Sequence, residues 1–133
     1  MSSSCQYFIY YYKVGNVHKV KTSNGLIHIK SNQNGGRPGA RRLIQVIPNK
    51  RYVAEFYAKK TGSQDVIPKI TGGHDGGKIL AFDTNKKIKN QYSLVSVPFN
   101  SGNNKAVYVG LIFDNAIKGS SFFIRGIRLR RLN

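Results

Sequence analysis

The residues equipped for acid–base chemistry are few and scattered. Five carboxylates, Glu55, Asp65, Asp75, Asp83 and Asp114, are spread along 133 residues, and no two are neighbours. Hydrolysis by general acid and base usually takes a pair of carboxylates, and an oxygen-ligated metal site takes several donors, so the inventory argues against both. His18 and His28 stand among Lys and Ile without an acidic neighbour and read as ordinary strand residues. His74-Asp75, with two glycines on each side, looks more like a site, because a glycine-rich loop can hold an anion on its backbone N–H groups. No helical pattern follows it and no Gly-Lys-Ser/Thr closes it, so it is not a P-loop and reads as a turn. Cys5 has no second cysteine to pair with and no histidine beside it, and reads as structural. The expectation is a protein with no catalytic residue, no metal and no cofactor.

Cations, by contrast, are abundant. Twenty-two Lys+Arg against five Asp+Glu give a formal charge of +17. They are dispersed: Lys13, Lys19, Lys21 and Lys30 early, Arg37, Arg41 and Arg42 next, Lys86, Lys87 and Lys89 later, then Arg125, Arg128, Arg130 and Arg131. Such a field attracts nucleic acid, acidic polysaccharide, anionic lipid or an acidic protein surface alike. Arginine's planar fork grips carboxylate or phosphate with two hydrogen bonds, which makes Arg37, Arg41, Arg42, Arg125, Arg128, Arg130 and Arg131 the candidate partner-binding residues. The run Tyr7 to Tyr12 offers rings for base stacking, but alternation puts aromatics on both faces of it. A strand buried on both sides, or one added to a neighbouring subunit's sheet, accounts for that equally well.

The elements that must position these groups are strands. Hydrophobic residues make up 40%, too many for a disordered basic tail, and the length suits one domain, 1–133. No stretch keeps apolar residues at helical spacing for three turns. Short β-rich runs recur instead: Gln6–Val14, Val17–Lys21, Leu26–Lys30, Arg41–Ile47, Arg51–Lys59, Val66–Ile70, Lys78–Phe82, Tyr92–Phe99, Ala106–Phe113 and Ser121–Leu132. Gly-, Asn- and Pro-rich turns separate them, and a polar, glycine-rich segment at about 31–42 reads as a long flexible loop. About ten short strands at this spacing predict an all-β fold, an antiparallel two-sheet β-sandwich of jelly-roll type.

Alternation drafts the core as Tyr52, Ala54, Phe56 and Ala58; Val95, Val97 and Phe99; and Val107, Val109, Leu111 and Phe113. The last strand changes phase: Phe122 and Ile124 share one parity, Ile127 and Leu129 the other. A β-bulge at Arg125-Gly126 reconciles them and turns Arg125, Arg128 and Arg130 outward.

The start Met-Ser-Ser-Ser-Cys-Gln has neither the charged region nor the apolar run of a secretory signal, and with one cysteine an intracellular origin is expected. The apolar run Val107–Phe113 is far short of the roughly 20 residues of a membrane span.

From about Pro48 to Leu132 the chain resembles the jelly-roll carbohydrate-binding modules of the xylan- and cellulose-binding type. The matching stretches are Asn49–Lys59 (Asn-Lys-Arg-Tyr-Val-Ala-Glu-Phe-Tyr-Ala-Lys), Tyr92–Phe99, Val107–Leu111 and Gly119–Leu129. The resemblance implies a sugar-binding sandwich. Those modules typically stack sugars on tryptophan, which this chain lacks, and Tyr92 stands where Trp is common. Arg125-Gly126 replaces an Asp-Asp that resembles a calcium site. Tyr57, Tyr92 and Tyr108 are the candidate sugar platforms, Tyr57 and Tyr108 because they fall opposite the drafted core.

The same architecture is widespread in viral capsid and cement proteins. A small, basic, catalytically bare sandwich fits that setting, so the leading expectation is a virion shell subunit that contacts acidic capsid proteins. Carbohydrate binding is the alternative, and nucleic-acid binding the second alternative.

Overall fold

The runs that alternate apolar with polar residues form ten strands in the computed structural model, which describes residues 5–11, 17–23, 26–32, 34–73, 77–83 and 87–132, and only the backbone before residue 26. Their order is β1 (Cys5–Tyr11), β2 (Val17–Ser23), β3 (Leu26–Ser31), β4 (Gly39–Gln45), β5 (Arg51–Thr61), β6 (Asp65–Gly72), β7 (Ile79–Phe82), β8 (Ser93–Asn100), β9 (Ala106–Asp114) and β10 (Ser121–Arg131). No helix occurs among the described residues.

Two five-stranded antiparallel sheets result. The first runs β1-β4-β9-β6-β7 and the second β2-β3-β10-β5-β8. Neighbours in each sheet are seldom neighbours in sequence, as expected of a jelly roll rather than a meander. The predicted fold class is therefore the observed one.

Every residue of the drafted core is buried: Tyr52, Ala54, Phe56 and Ala58 on β5, Val95, Val97 and Phe99 on β8, and Val107, Val109, Leu111 and Phe113 on β9. Phe113 of the first sheet meets Phe122 of the second with ring centroids 5.0 Å apart at 54°, a tilted contact that bridges the layers. The expected bulge is present. Pairing between β10 and β5 slips between Arg125 and Arg128, and Gly126 has φ +69°, a conformation costly for residues with a Cβ. The slip returns Ile127 to the interior while Arg125, Arg128 and Arg130 stay exposed.

The segment before β4 departs from expectation. β4 begins at Gly39, two residues before the expected strand Arg41–Ile47, so the expected loop at about 31–42 ends earlier and Arg41 and Arg42 lie well inside the strand. The connection from β3 is tied down: Gly35 N donates to Ala116 O, Ala116 N to Gly36 O, and Lys118 N to Asn34 Oδ1. Alternation along β4 then sends the two arginines to opposite sides. Arg42 is buried at 9% exposure and its Nη1 donates to Ile127 O at 3.1 Å, so it is an interior group and not a surface contact. The His74-Asp75 turn lies outside the described residues, as do the side chains of Cys5, His18 and the Tyr7–Tyr12 run.

Candidate functional site

The outward face of the first sheet collects residues from four strands. Register aligns Arg41, Gly110, Lys69 and Phe82 in one row across β4, β9, β6 and β7, with Tyr10 of β1 opposite Arg41. The adjacent row holds Leu43, Tyr108 and Thr71. Gly110 leaves a gap in the middle of the first row. A Cβ there would run into the Ala40 carbonyl oxygen and lie 2.7 Å from Arg41 Cα, so β4 and β9 approach too closely for any other residue.

Arg41 leans over Tyr108, its guanidinium carbon 3.9 Å from the ring centroid, a close cation–π contact. Lys69 Nζ and the Arg37 guanidinium each lie 5.9 Å from the centroid of Phe82. Arg37 is oriented by Asp114, whose Oδ1 is 3.1 Å from both Nε and Nη2. Lys69 has its pKa lowered from the ordinary 10.5, first by burial and then by the like charges of Arg41 and Arg37.

The apolar residues of this face are covered by longer side chains. Ile67, Thr71 and Ile112 point outward by parity, yet they are 4%, 3% and 2% exposed, while Arg41, Lys69, Tyr108 and Phe82 keep partial access to solvent. Two features border it. At one end the chain after β6 folds back: Gly72 N donates to Lys78 O, and the position of a Cβ on Gly77 lies 3.6 Å from Thr71 Cβ. At the other end Arg37 stretches between Asp114 and Phe82, across the row that contains Ile112 and Ile67.

The outward face of the second sheet is different. It is open, with Tyr57 43% and Leu94 50% exposed. Cations and rings alternate across it. His28 stacks on Phe123 at 4.1 Å and 10°, Lys59 Nζ lies 4.9 Å from both Phe123 and Tyr92, and Arg125 sits 4.3 Å from Tyr92 and 5.9 Å from Tyr57. Arg128 Nε and Arg130 Nη2 flank Glu55 at 3.3 and 3.5 Å, while Arg131 is exposed near the end of β10.

The sequence-derived candidates are thus divided. Arg37, Arg41 and Tyr108 share the outward face of the first sheet; Tyr57, Tyr92, Arg125, Arg128 and Arg130 belong to the opposite, open one. Lys69 and Phe82 were not singled out from the sequence. Their signal was there in weak form, since Lys69 is the one charged residue within Val66–Ile70 and sits at the outward parity. Two shallow surface hollows elsewhere, beside Ile88 and Leu94 and beside Ser31 and Gly119, hold no aromatic ring. Among the described residues no three His, Cys, Asp or Glu side chains cluster as metal ligands.

Solved structures supply the decisive likeness. A CBM4 carbohydrate-binding module superposes with a TM-score of 0.74, covering 92% of this chain and 86% of its own at 12% identity. The chain has the fold of the jelly-roll carbohydrate-binding modules. The N-terminal cellulose-binding domain of Cellulomonas fimi beta-1,4-glucanase C shares it, with a TM-score of 0.65 over 94% of this chain and 89% of that domain at 11% identity. The enzymatically active domain of bacteriophage CBA120 tailspike protein 4 contains a similar sandwich, with a TM-score of 0.66 at 12% identity; 98% of this chain matches 20% of that one. No protein-family profile and no curated protein matches the sequence. None of these three structures is a shell protein, and the expected capsid role finds no support in them. No helix among the described residues is long and apolar enough to cross a membrane.

Proposed function

We propose that this chain is a carbohydrate-binding module that holds a saccharide, without catalysis, on the outward face of the first sheet. One observation carries the reading: on a sandwich with this fold, the partly exposed ring of Phe82 is set beside Lys69 and the Arg41–Tyr108 stack, an apolar surface next to hydrogen-bond donors on one sheet face. A saccharide presents apolar C–H patches and a rim of oxygen acceptors, and it needs both kinds of partner at once.

The test is retention of the full chain on a panel of immobilised polysaccharides, with Phe82→Ala and Tyr108→Ala against Tyr57→Ala on the opposite face. Binding of at least one polysaccharide, reduced by the first two substitutions and kept by the third, is the expected result. Retention abolished by Tyr57→Ala alone would move the site to the second sheet, and no retention on any polysaccharide would overturn the reading.

A further inference from the structure

We infer that the saccharide taken by this face is anionic, carrying carboxylate or sulfate groups. The inference rests on the carbohydrate-binding reading above and narrows its ligand class.

The first argument concerns the rings. At 3.9 Å from the Tyr108 centroid, the Arg41 guanidinium is in van der Waals contact with the ring face, and no sugar ring fits between them. The group that a ligand meets there is a planar cation with N–H donors, which suits a carboxylate or sulfate better than a C–H face. The opposite sheet repeats the pattern, since Tyr92 lies within 5 Å of both Lys59 and Arg125. Tyr108 and Tyr92 carry cations where a neutral-sugar platform would be bare.

The second argument is electrostatic. Arg41 and Lys69 stand on strands either side of β9, about 9.5 Å apart along the hydrogen-bonding direction, with Gly110 placing no side chain between them. Arg37 approaches the same patch from the border. Burial first, and then the like charges of Arg41 and of Arg37, which Asp114 partners, disfavour the protonated form of Lys69. An anion seated over Gly110 relieves that repulsion, and it gains more there than in open water because the surroundings are less polarisable.

Base stacking needs an open ring face, and Arg41 occupies one face of Tyr108, so a single-stranded nucleic acid is the competing ligand that the experiment tests.

The experiment compares affinity of the full chain, at fixed moderate ionic strength, for polygalacturonate, carboxyl-reduced polygalacturonate, chondroitin sulfate, unsubstituted xylan and a poly-dT oligonucleotide. Arg41→Gln and Lys69→Gln are measured beside Arg128→Gln on the other sheet, with circular dichroism to confirm folding. Expected is binding to one or both acidic polymers, at least tenfold weaker binding to the reduced polymer and to xylan, and about tenfold loss in each first-sheet variant with little change for Arg128→Gln. Polygalacturonate against chondroitin sulfate tells carboxylate from sulfate recognition. Equal binding of xylan, or loss as large for Arg128→Gln as for Arg41→Gln, overturns the anionic inference while leaving carbohydrate binding standing. Tighter binding of poly-dT than of either acidic polymer overturns it in favour of nucleic acid. Failure to bind any of the polysaccharides removes both readings.

Discussion

Arg41 and Arg42 are adjacent in sequence and do opposite things. One lies on Tyr108 at the outer surface of β4, while the other is buried and donates to the carbonyl of Ile127, 85 residues away. The period of two along a strand is enough to part them.

Their substitutions should separate accordingly. Arg42→Ala leaves the Ile127 carbonyl without this donor and opens space in the interior, so a loss of about 1–3 kcal/mol in unfolding free energy is expected, with saccharide affinity unchanged. Arg41→Ala should do the reverse. Urea titration together with polysaccharide retention on both variants checks the pair.

Arg41→Lys keeps the charge but loses the planar stack and the two-pronged grip. Affinity for the acidic ligand should fall about tenfold although net charge is unchanged, measurable by calorimetry. Wild-type affinity in this variant would mean that charge alone matters and that the contact with Tyr108 is incidental.

Lys69 costs stability for the sake of the site. Its folded-state pKa lies below the unfolded 10.5, so the protonated form is penalised by folding. That penalty is fully present below the folded-state value and vanishes above 10.5, and this residue's contribution therefore makes stability rise with pH through that window. Lys69→Met should be more stable than the wild type at pH 7, and the difference should shrink as pH approaches 10.5. Denaturation midpoints of both proteins across that range test the sign, and the same variant should bind acidic polymer less well.

Two glycines should respond to alanine for different reasons. At Gly126, φ is +69° but nothing lies within 4 Å of the added Cβ, so only the left-handed conformation costs, about 1–2 kcal/mol. At Gly110 the Cβ meets the backbone of Ala40 and Arg41, β4 and β9 must part, and a loss above about 3 kcal/mol is expected. Urea midpoints with unchanged slopes distinguish the two.

The sequence by itself determined what local alternation can determine. Inward and outward parity on β5, β8 and β9 follows from a period of two, and the phase change between Ile124 and Ile127 forces a bulge at the one glycine available. Composition excluded a disordered tail, and the arginines and tyrosines with a part in surface chemistry were largely recognisable by type. Parity, however, says only that a side chain leaves the core, not on which side of the molecule it emerges. Tyr57 and Tyr108 are both outward, yet strand order puts them on opposite faces. The candidate site exists because β6 and β7 pair beside β9, which brings Lys69 to Phe82, and because Arg37 meets Asp114 across 77 residues. Those contacts depend on which strands share a sheet, and that choice is made by the packing of the whole core, where each strand's apolar face can be satisfied by several partners and only the complete sandwich selects one.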